Sequence, residues 1–400
     1  MTARQPHDST DTTARTPFER LLDAERRALQ AAGLYRTRAC LDGKQGVRVA
    51  IDGRELVSFA SNDYLGLAAD ERIIAAARAA AERYGVGAGA SHLLYGHGRA
   101  HEELEAALAR FTGYPRALCF STGYMANIGV ISALCTREDA VFADKLNHAS
   151  LNDAMLLSRA RFHRYAHGDL EHLERLLQAS RARRRLIATD AVFSMDGDLA
   201  PVPDLVRLCE RYDAFLLLDD AHGFGVLGAH GAGTLSHFGM SSERIIYMGT
   251  LGKAAGVFGA FVAADAACID LLINRARTYV YTTATPPLLA AALLESLQII
   301  HSEDWRRERL ARLSAMLSAA RTTLPGSLLP SCTAIQPLVL GSAQAAARAM
   351  RALADCGLVV PAVRPPTVPH GSARLRISLS AAHSVADVER LLAALRQLPQ

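Results

Sequence analysis

Between residues 18 and 34, apolar side chains recur at helical spacing among charges, which predicts an amphipathic helix. Residues 47–51 then alternate, Asp52-Gly53 turns, and 55–60 alternates again, the pattern of a β-hairpin. Beyond Leu67, short apolar runs interleave with helical patterns. Helices are expected over 71–84 and 101–111, and strands over 117–120, 140–143, 186–189, 214–219, 245–248 and 259–263. Such alternation predicts an α/β fold with a mostly parallel central sheet covered by helices, binding ligands at the carboxyl ends of its strands. Residues 286–301 read as a long helix, after which polarity rises through Ser302-Glu303-Asp304-Trp305-Arg306-Arg307. The remainder gives a helix, a strand at 335–340, a helix at 343–354, strands at 358–360 and 373–380, and a final helix. The expected organisation is a polar, disordered lead-in (1–16), an N-terminal helix-and-hairpin arm (17–60), a large α/β domain (61–302) and a small C-terminal α+β domain (303–400).

Composition narrows the classes. At 400 residues, 50% hydrophobic and 21% charged, with no run long enough to span a membrane, the chain reads as a soluble globular protein with a sizeable core. A net charge of +4, dispersed along the sequence, argues against nucleic acid. The basic cluster at 181–185 reads as a solvated turn. Seven cysteines, odd in number and without a C-x-x-C pair, read as reduced thiols in a reducing cytoplasm.

The chemistry centres on two strings, Gly249-Thr250-Leu251-Gly252-Lys253-Ala254-Ala255-Gly256 and, about one βα unit earlier, Leu216-Leu217-Leu218-Asp219-Asp220-Ala221-His222-Gly223. A desolvated lysine among small residues has a lowered pKa, which frees its amine as nucleophile and base. With a hydroxyl three positions earlier, Lys253 suits a Schiff base to pyridoxal phosphate. The alternatives are a phosphate-binding or an ordinary surface lysine. The full P-loop pattern is missing, because Ala254 stands where Ser or Thr is needed. Asp219 closes a buried apolar strand, where a carboxylate needs a partner, and a protonated pyridine nitrogen is one. Asp220 and His222 also permit a metal reading, which no second ligand cluster at suitable spacing supports. His222 is placed to hydrogen-bond the cofactor's phenolic oxygen.

Ser121-Thr122-Gly123-Tyr124-Met125-Ala126-Asn127 follows a strand and opens a helix, where backbone N–H groups bind phosphate. A simple N-cap is the plainer alternative. Tyr124 is placed to line the cofactor, and Thr250 to add a hydroxyl to the phosphate. His148, in Asn147-His148-Ala149-Ser150, sits where an imidazole can stack on an aromatic ring, or serve as a structural cap. Gly85-Val86-Gly87-Ala88-Gly89-Ala90 follows a helix rather than a strand, which rejects a dinucleotide fingerprint and leaves a flexible active-site loop. His97 and His101, four apart, read as helix-start polar residues rather than metal ligands.

Taken together, Ser61-Asn62-Asp63-Tyr64-Leu65-Gly66-Leu67, 121–127, Asn147-His148-Ala149-Ser150-Leu151, Val192-Phe193-Ser194-Met195-Asp196-Gly197-Asp198, Asp219–Gly223 and Thr250-x-Gly252-Lys253 resemble the α-oxoamine synthases. The resemblance runs from residue 18 to the C-terminus. It implies a fold-type-I, pyridoxal-phosphate-dependent transferase, a homodimer with shared active sites, that condenses an amino acid with an acyl thioester and releases carbon dioxide. It makes Lys253 the cofactor-bearing base, Asp219 the partner of the ring nitrogen and His148 the stacking residue. Gly123, Tyr124, Ser194, His222 and Thr250 become cofactor contacts, and Thr283 reaches the phosphate of the neighbouring subunit. Asn62, His148, Arg364, Thr367 and Arg376 meet substrate, with Arg376 taking the amino-acid carboxylate. Arg36 meets the acyl donor, with Tyr35 and Arg38 as alternatives. Arg364-Pro365-Pro366-Thr367-Val368-Pro369 and Ser378-Leu379-Ser380-Ala381-Ala382-His383 most resemble the branch that joins L-alanine to a pimeloyl thioester, on coenzyme A or an acyl carrier protein, in biotin synthesis. Sister synthases using glycine or another acyl-CoA, of the 2-amino-3-oxobutyrate or 5-aminolevulinate type, are the alternative. From a different class, the rival is a catalytically silent partner subunit, against which Lys253, His148 and Asp219 together argue. No metal is implied.

Overall fold

The structure is a computed structural model and describes residues 16–32 and 34–398. The expected lead-in lies outside the described residues except for Thr16, which forms a capping box with Glu19 on the helix Pro17–Ala31. Seven strands build the central sheet: β1 (Arg116–Phe120), β2 (Ala140–Asp144), β3 (Arg161–Tyr165), β4 (Arg185–Asp190), β5 (Ala214–Asp219), β6 (Ile245–Thr250) and β7 (Ala260–Ala264). Their order is β1-β7-β6-β5-β4-β2-β3, and β7 alone runs antiparallel to its neighbours.

The inner strands are near-continuous apolar runs because both faces of the sheet are covered. Along β5 the faces alternate. Leu216 and Leu218 enter one core with Phe142 and Ile187, and Leu217 enters the other with Val141 and Leu186. Each fully buried leucine contributes roughly 1.5–3 kcal/mol. Strand register then sets the site. Asp190 lies opposite Asp219, and Asp219 opposite Met248, so β4 and β5 finish level while β6 runs two residues further, to Thr250.

Two features differ from expectation. The strand β3 is additional: its Arg-Phe-His-Arg-Tyr sequence carries mostly exposed side chains, as a charged edge strand does. The basic cluster at 181–185 is not simply a solvated turn. Arg183 pairs with the fully buried Asp139 at 3.1 Å, Arg184 donates to the Leu134 carbonyl, and Arg185 donates to those of Tyr212 and Ser180. These bonds tie the start of β4 to the chain around it.

The hairpin strands Arg48–Ile51 and Arg54–Ser58 pair as the alternation predicts, and Arg54–Ser58 also pairs in parallel with Leu358–Val359. The C-terminal sheet contains Ser327–Leu328, β8 (Ile335–Gly341), β9 (Ala373–Ser378) and Ala362–Val363. The Ser61–Leu67 string is the junction between these parts and the central sheet. The Asp63 carboxylate accepts the Leu67 and Ala68 N–H groups, the Asp63 carbonyl accepts from the Ser380 hydroxyl, and the Leu65 carbonyl accepts from Arg306. Gly66 has φ +68°, and a Cβ there would stand 2.8 Å from that of Ala382, so only glycine fits. Cys119, Cys135 and Cys209 are buried free thiols, whereas Cys40, Cys332 and Cys356 are exposed. Among the described residues no helix is long and apolar enough to cross a membrane.

Candidate active site

At the carboxyl ends of β4, β5 and β6 lies a cavity of about 170 Å³. Its walls bring together eight residues singled out from the sequence: Gly123, Tyr124, His148, Ser194, Asp219, His222, Thr250 and Lys253. Ser150 and Asp190 line it as well.

Lys253 begins one hydrogen-bonded chain. Its Nζ lies 2.8 Å from His222 Nε2, and His222 Nδ1 lies 2.7 Å from the Tyr64 hydroxyl. That hydroxyl donates to Asn62 Oδ1 at 3.0 Å, so His222 must donate from Nδ1, which leaves Nε2 to accept from the lysine. Burial, then the Lys253 and Arg376 charges, push the His222 pKa well down and keep the ring neutral. Burial also lowers Lys253 to about 8, with Asp219 and Asp190 pulling the other way. In cofactor-free protein, an amine-selective acylating reagent should therefore label Lys253 with a midpoint near pH 8, protonated and unreactive below it. A midpoint near the ordinary 10.5, read by peptide mapping, would remove the desolvation argument.

Asp219 begins the second chain. Its Oδ1 accepts the Ala221 N–H at 3.0 Å, and its Oδ2 accepts Asn127 Nδ2 at 2.7 Å. Asn127 also donates to the Ser150 hydroxyl, which lies 2.8 Å from His148 Nδ1. That nitrogen accepts the Ser150 N–H as well, so the imidazole carries its proton on Nε2. His148 is therefore both the N-cap of the helix Ala149–Ser158 and a cavity wall, and burial lowers its pKa. Asp190 stands beside Asp219 and accepts the His148 N–H at 3.2 Å; burial, then the Asp219 charge, raises its pKa well above the carboxylate range.

Sequence reasoning left Tyr64, Asn127, Ser150 and Asp190 without roles. Asn127 carried a signal, being an amide within a mostly apolar helix, Gly123–Leu134, where the fold buries it fully. Asp220, which had permitted a metal reading, instead accepts the Thr234 N–H and hydroxyl and the Tyr247 hydroxyl. Among the described residues no His, Cys, Asp and Glu cluster is arranged to hold a metal ion. His101 Nδ1 accepts the Gly98 N–H and its Nε2 meets the Thr285 carbonyl, a helix-start role as expected.

Arg376 stands behind the first chain. It donates to the Ser194 carbonyl at 2.6 Å, to the Ser378 hydroxyl at 2.7 Å, to Asn62 Oδ1 at 3.2 Å and to the Tyr64 oxygen at 3.4 Å. All four acceptors are neutral. Arg376 is only 7% exposed, and among the described residues it forms no ion pair, unlike Arg374, which pairs with Asp196. Other expected contacts lie elsewhere. Thr283 pairs with Ser91, and Arg36 is exposed in the N-terminal segment. Arg364 lines a separate cavity of about 760 Å³ with Leu34, Pro365 and Pro366, and exposed Thr367 donates its N–H to the Arg364 carbonyl.

The donor set fits pyridoxal phosphate. It has an amine of lowered pKa, a carboxylate fixed by two N–H donors, an imidazole on the cavity wall, and the first turn of the Gly123–Leu134 helix, whose N–H groups have no intrahelical partner. The aminotransferase class I and II family model matches residues 54–395. An 8-amino-7-oxononanoate synthase of Nitrosospira multiformis is 62% identical over 365 residues, covering 91% of this chain and 92% of the relative. This chain belongs to the 8-amino-7-oxononanoate synthase family. Among solved structures, a serine palmitoyltransferase of S. paucimobilis, described with bound PLP-myriocin aldimine, aligns with a TM-score of 0.89 at 30% identity, covering 96% of this chain and 98% of that one. An 8-amino-7-oxononanoate synthase of Francisella tularensis aligns with a TM-score of 0.74 at 30% identity, covering 86% and 97%. The 8-amino-7-oxononanoate synthase family fold is thus fold type I, and its cofactor is pyridoxal phosphate.

Proposed function

We propose that this chain joins L-alanine to a pimeloyl thioester, on coenzyme A or an acyl carrier protein, releasing carbon dioxide and forming 8-amino-7-oxononanoate for biotin synthesis. The observation that carries the substrate side is Arg376, a buried guanidinium without an acidic partner among the described residues, hydrogen-bonded through Tyr64 and His222 towards Lys253. A planar fork of this kind matches the amino-acid carboxylate bidentately. When bound, the cofactor supplies an electron sink for the substrate carbanion. Lys253 holds the cofactor and, once freed, removes the Cα proton. His222, neutral at Nε2, accepts a hydrogen bond from the resulting ammonium. Asp219 would keep a proton on the cofactor's ring nitrogen, and His148, on the cavity wall, would pack beside the ring. Gly123, Tyr124, Ser194 and Thr250 complete the cofactor seat.

Arg36 meets the acyl donor, and Arg364 and Thr367 contact substrate, near the separate cavity that Arg364 and Leu34 line. The enzyme acts in the cytoplasm as a homodimer with shared sites. Supporting the dimer, the helix Pro17–Ala31 buries no residue although Phe18, Leu21, Leu22 and Leu29 are exposed along it. Leu93, Leu94, Tyr95 and Tyr281 are likewise exposed around the Ser91–Thr283 bridge, where Thr283 would serve the partner's cofactor. Steady-state turnover of alanine and glycine against acetyl, succinyl and pimeloyl thioesters tests this reading. Alanine with the pimeloyl donor should be preferred by at least about a hundredfold, since each extra methylene in a fitted pocket is worth roughly tenfold or more. Preference for glycine with a short donor would leave only the broader family.

A further inference from the structure

The segment 191–199, between β4 and the rest of the chain, is a tight loop. Val192 bridges Leu199, the Gly197 N–H donates to the Phe193 carbonyl, and the Phe193 N–H donates to that of Asp198. It carries Ser194 into the cavity wall, and its carbonyls receive the C-terminal domain. Arg376 donates to Ser194, Arg374 to Met195, and Ser331 to Gly197. The opposite side of the loop is held by His167. That imidazole lies 2.9 Å from Asp198 Oδ2 through Nε2 and 3.1 Å from Asp144 Oδ1 through Nδ1, and its ring meets Phe193 edge-on at 4.4 Å. Asp144 ends β2 and is fixed there by the Leu146 and Gly168 N–H groups. A ring with a carboxylate on each nitrogen must donate from both, so it is an imidazolium. Consistent with this, the bonds to Asp144 and then Asp198 raise the His167 pKa to about 10.

We propose that His167, clamped between Asp144 and Asp198, is a positioning residue for the amino-acid substrate: it fixes the loop whose Ser194 carbonyl aims the Arg376 guanidinium. The loop thus transmits the rigidity of the sheet end to a guanidinium that lacks an ion pair of its own among the described residues. This inference rests on Arg376 as the carboxylate site.

The test uses the full-length holoenzyme with alanine and pimeloyl thioester, in the variants His167→Ala, Asp198→Asn, Arg376→Lys and His167→Ala with Arg376→Lys. His167→Ala should raise the KM for alanine about tenfold while kcat falls no more than about threefold, the signature of lost substrate positioning. The KM for the acyl donor and the cofactor absorbance should not change. On the Arg376→Lys background, the same substitution should add less than about twofold, because its effect runs through Arg376. In cofactor-free protein, amide exchange over 193–198 should quicken. Asp198→Asn, which keeps the His167–Asp144 half of the clamp, should reproduce the KM effect in weaker form and serves if His167→Ala folds poorly. An unchanged alanine KM, an equal effect on both backgrounds, unaltered exchange, or a parallel fall in kcat and cofactor absorbance would each overturn the proposal. If Arg376→Lys alone leaves the alanine KM unchanged, the reading of Arg376 fails first. If it raises that KM and His167→Ala does not, only the His167 inference fails.

Discussion

Lys253→Ala should abolish turnover, by at least about ten-thousandfold, because in the proposed reaction one amine serves as both nucleophile and proton carrier. No other lysine can substitute. The chain has three lysines, Lys44, Lys145 and Lys253. Lys44 is exposed and paired with Glu71, and Lys145 is exposed beyond β2. Lys253 alone lines the cavity, with Asp219, Asp190 and Arg376 shaping its charge. The variant should still bind pyridoxal phosphate weakly, since Asp219, His148 and the Gly123 helix end remain. Borohydride should fix the cofactor to the Lys253 peptide in the parent protein and leave the variant unlabelled. Labelling of Lys44 or Lys145 in the parent would move the chemistry elsewhere.

The parts of this site that were legible in the sequence are those written in short local strings. The strand β5 is an apolar run closed by a carboxylate, so both its burial and the exposure of Asp219 to a ligand follow from six residues. Lys253, His222 and His148 sit just past strand ends for the same reason. Contacts between distant segments left no such trace. Tyr64 reads as an ordinary aromatic of a turn, yet it links His222 to Arg376, 312 residues away. Asp190 ends a strand as Asp219 does, but the register that sets them side by side exists only once the sheet has formed. The strand β3 was missed because an edge strand need not be apolar, and the pairing of Arg54–Ser58 with Leu358–Val359 joins segments some 300 residues apart. Arg376 was named through family resemblance alone; that it is buried with only neutral partners among the described residues is a property of the assembled fold.

Asp219→Asn should lower turnover by at least about a hundredfold, the upper end of the scale of one charged hydrogen bond, about 3 kcal/mol. The carboxylate is held by two donors, Ala221 N–H on one oxygen and Asn127 Nδ2 on the other, so it is fixed in place with acceptor capacity left for the cavity. An amide cannot reproduce this. Either orientation sets its NH2 group against one of those donors, and neither carries the negative charge that keeps a proton on a pyridine nitrogen. The Asn127–Ser150–His148 chain would also lose its anchor if the amide turned its nitrogen towards Asn127. Two effects are thus combined, and a second variant separates them. Asn127→Ala removes the anchor and keeps the charge, so it should cost far less than Asp219→Asn if the ring proton is the decisive requirement. Equal losses in the two variants would make Asp219 chiefly a support for His148, and near-normal turnover of Asp219→Asn would remove it from the chemistry altogether.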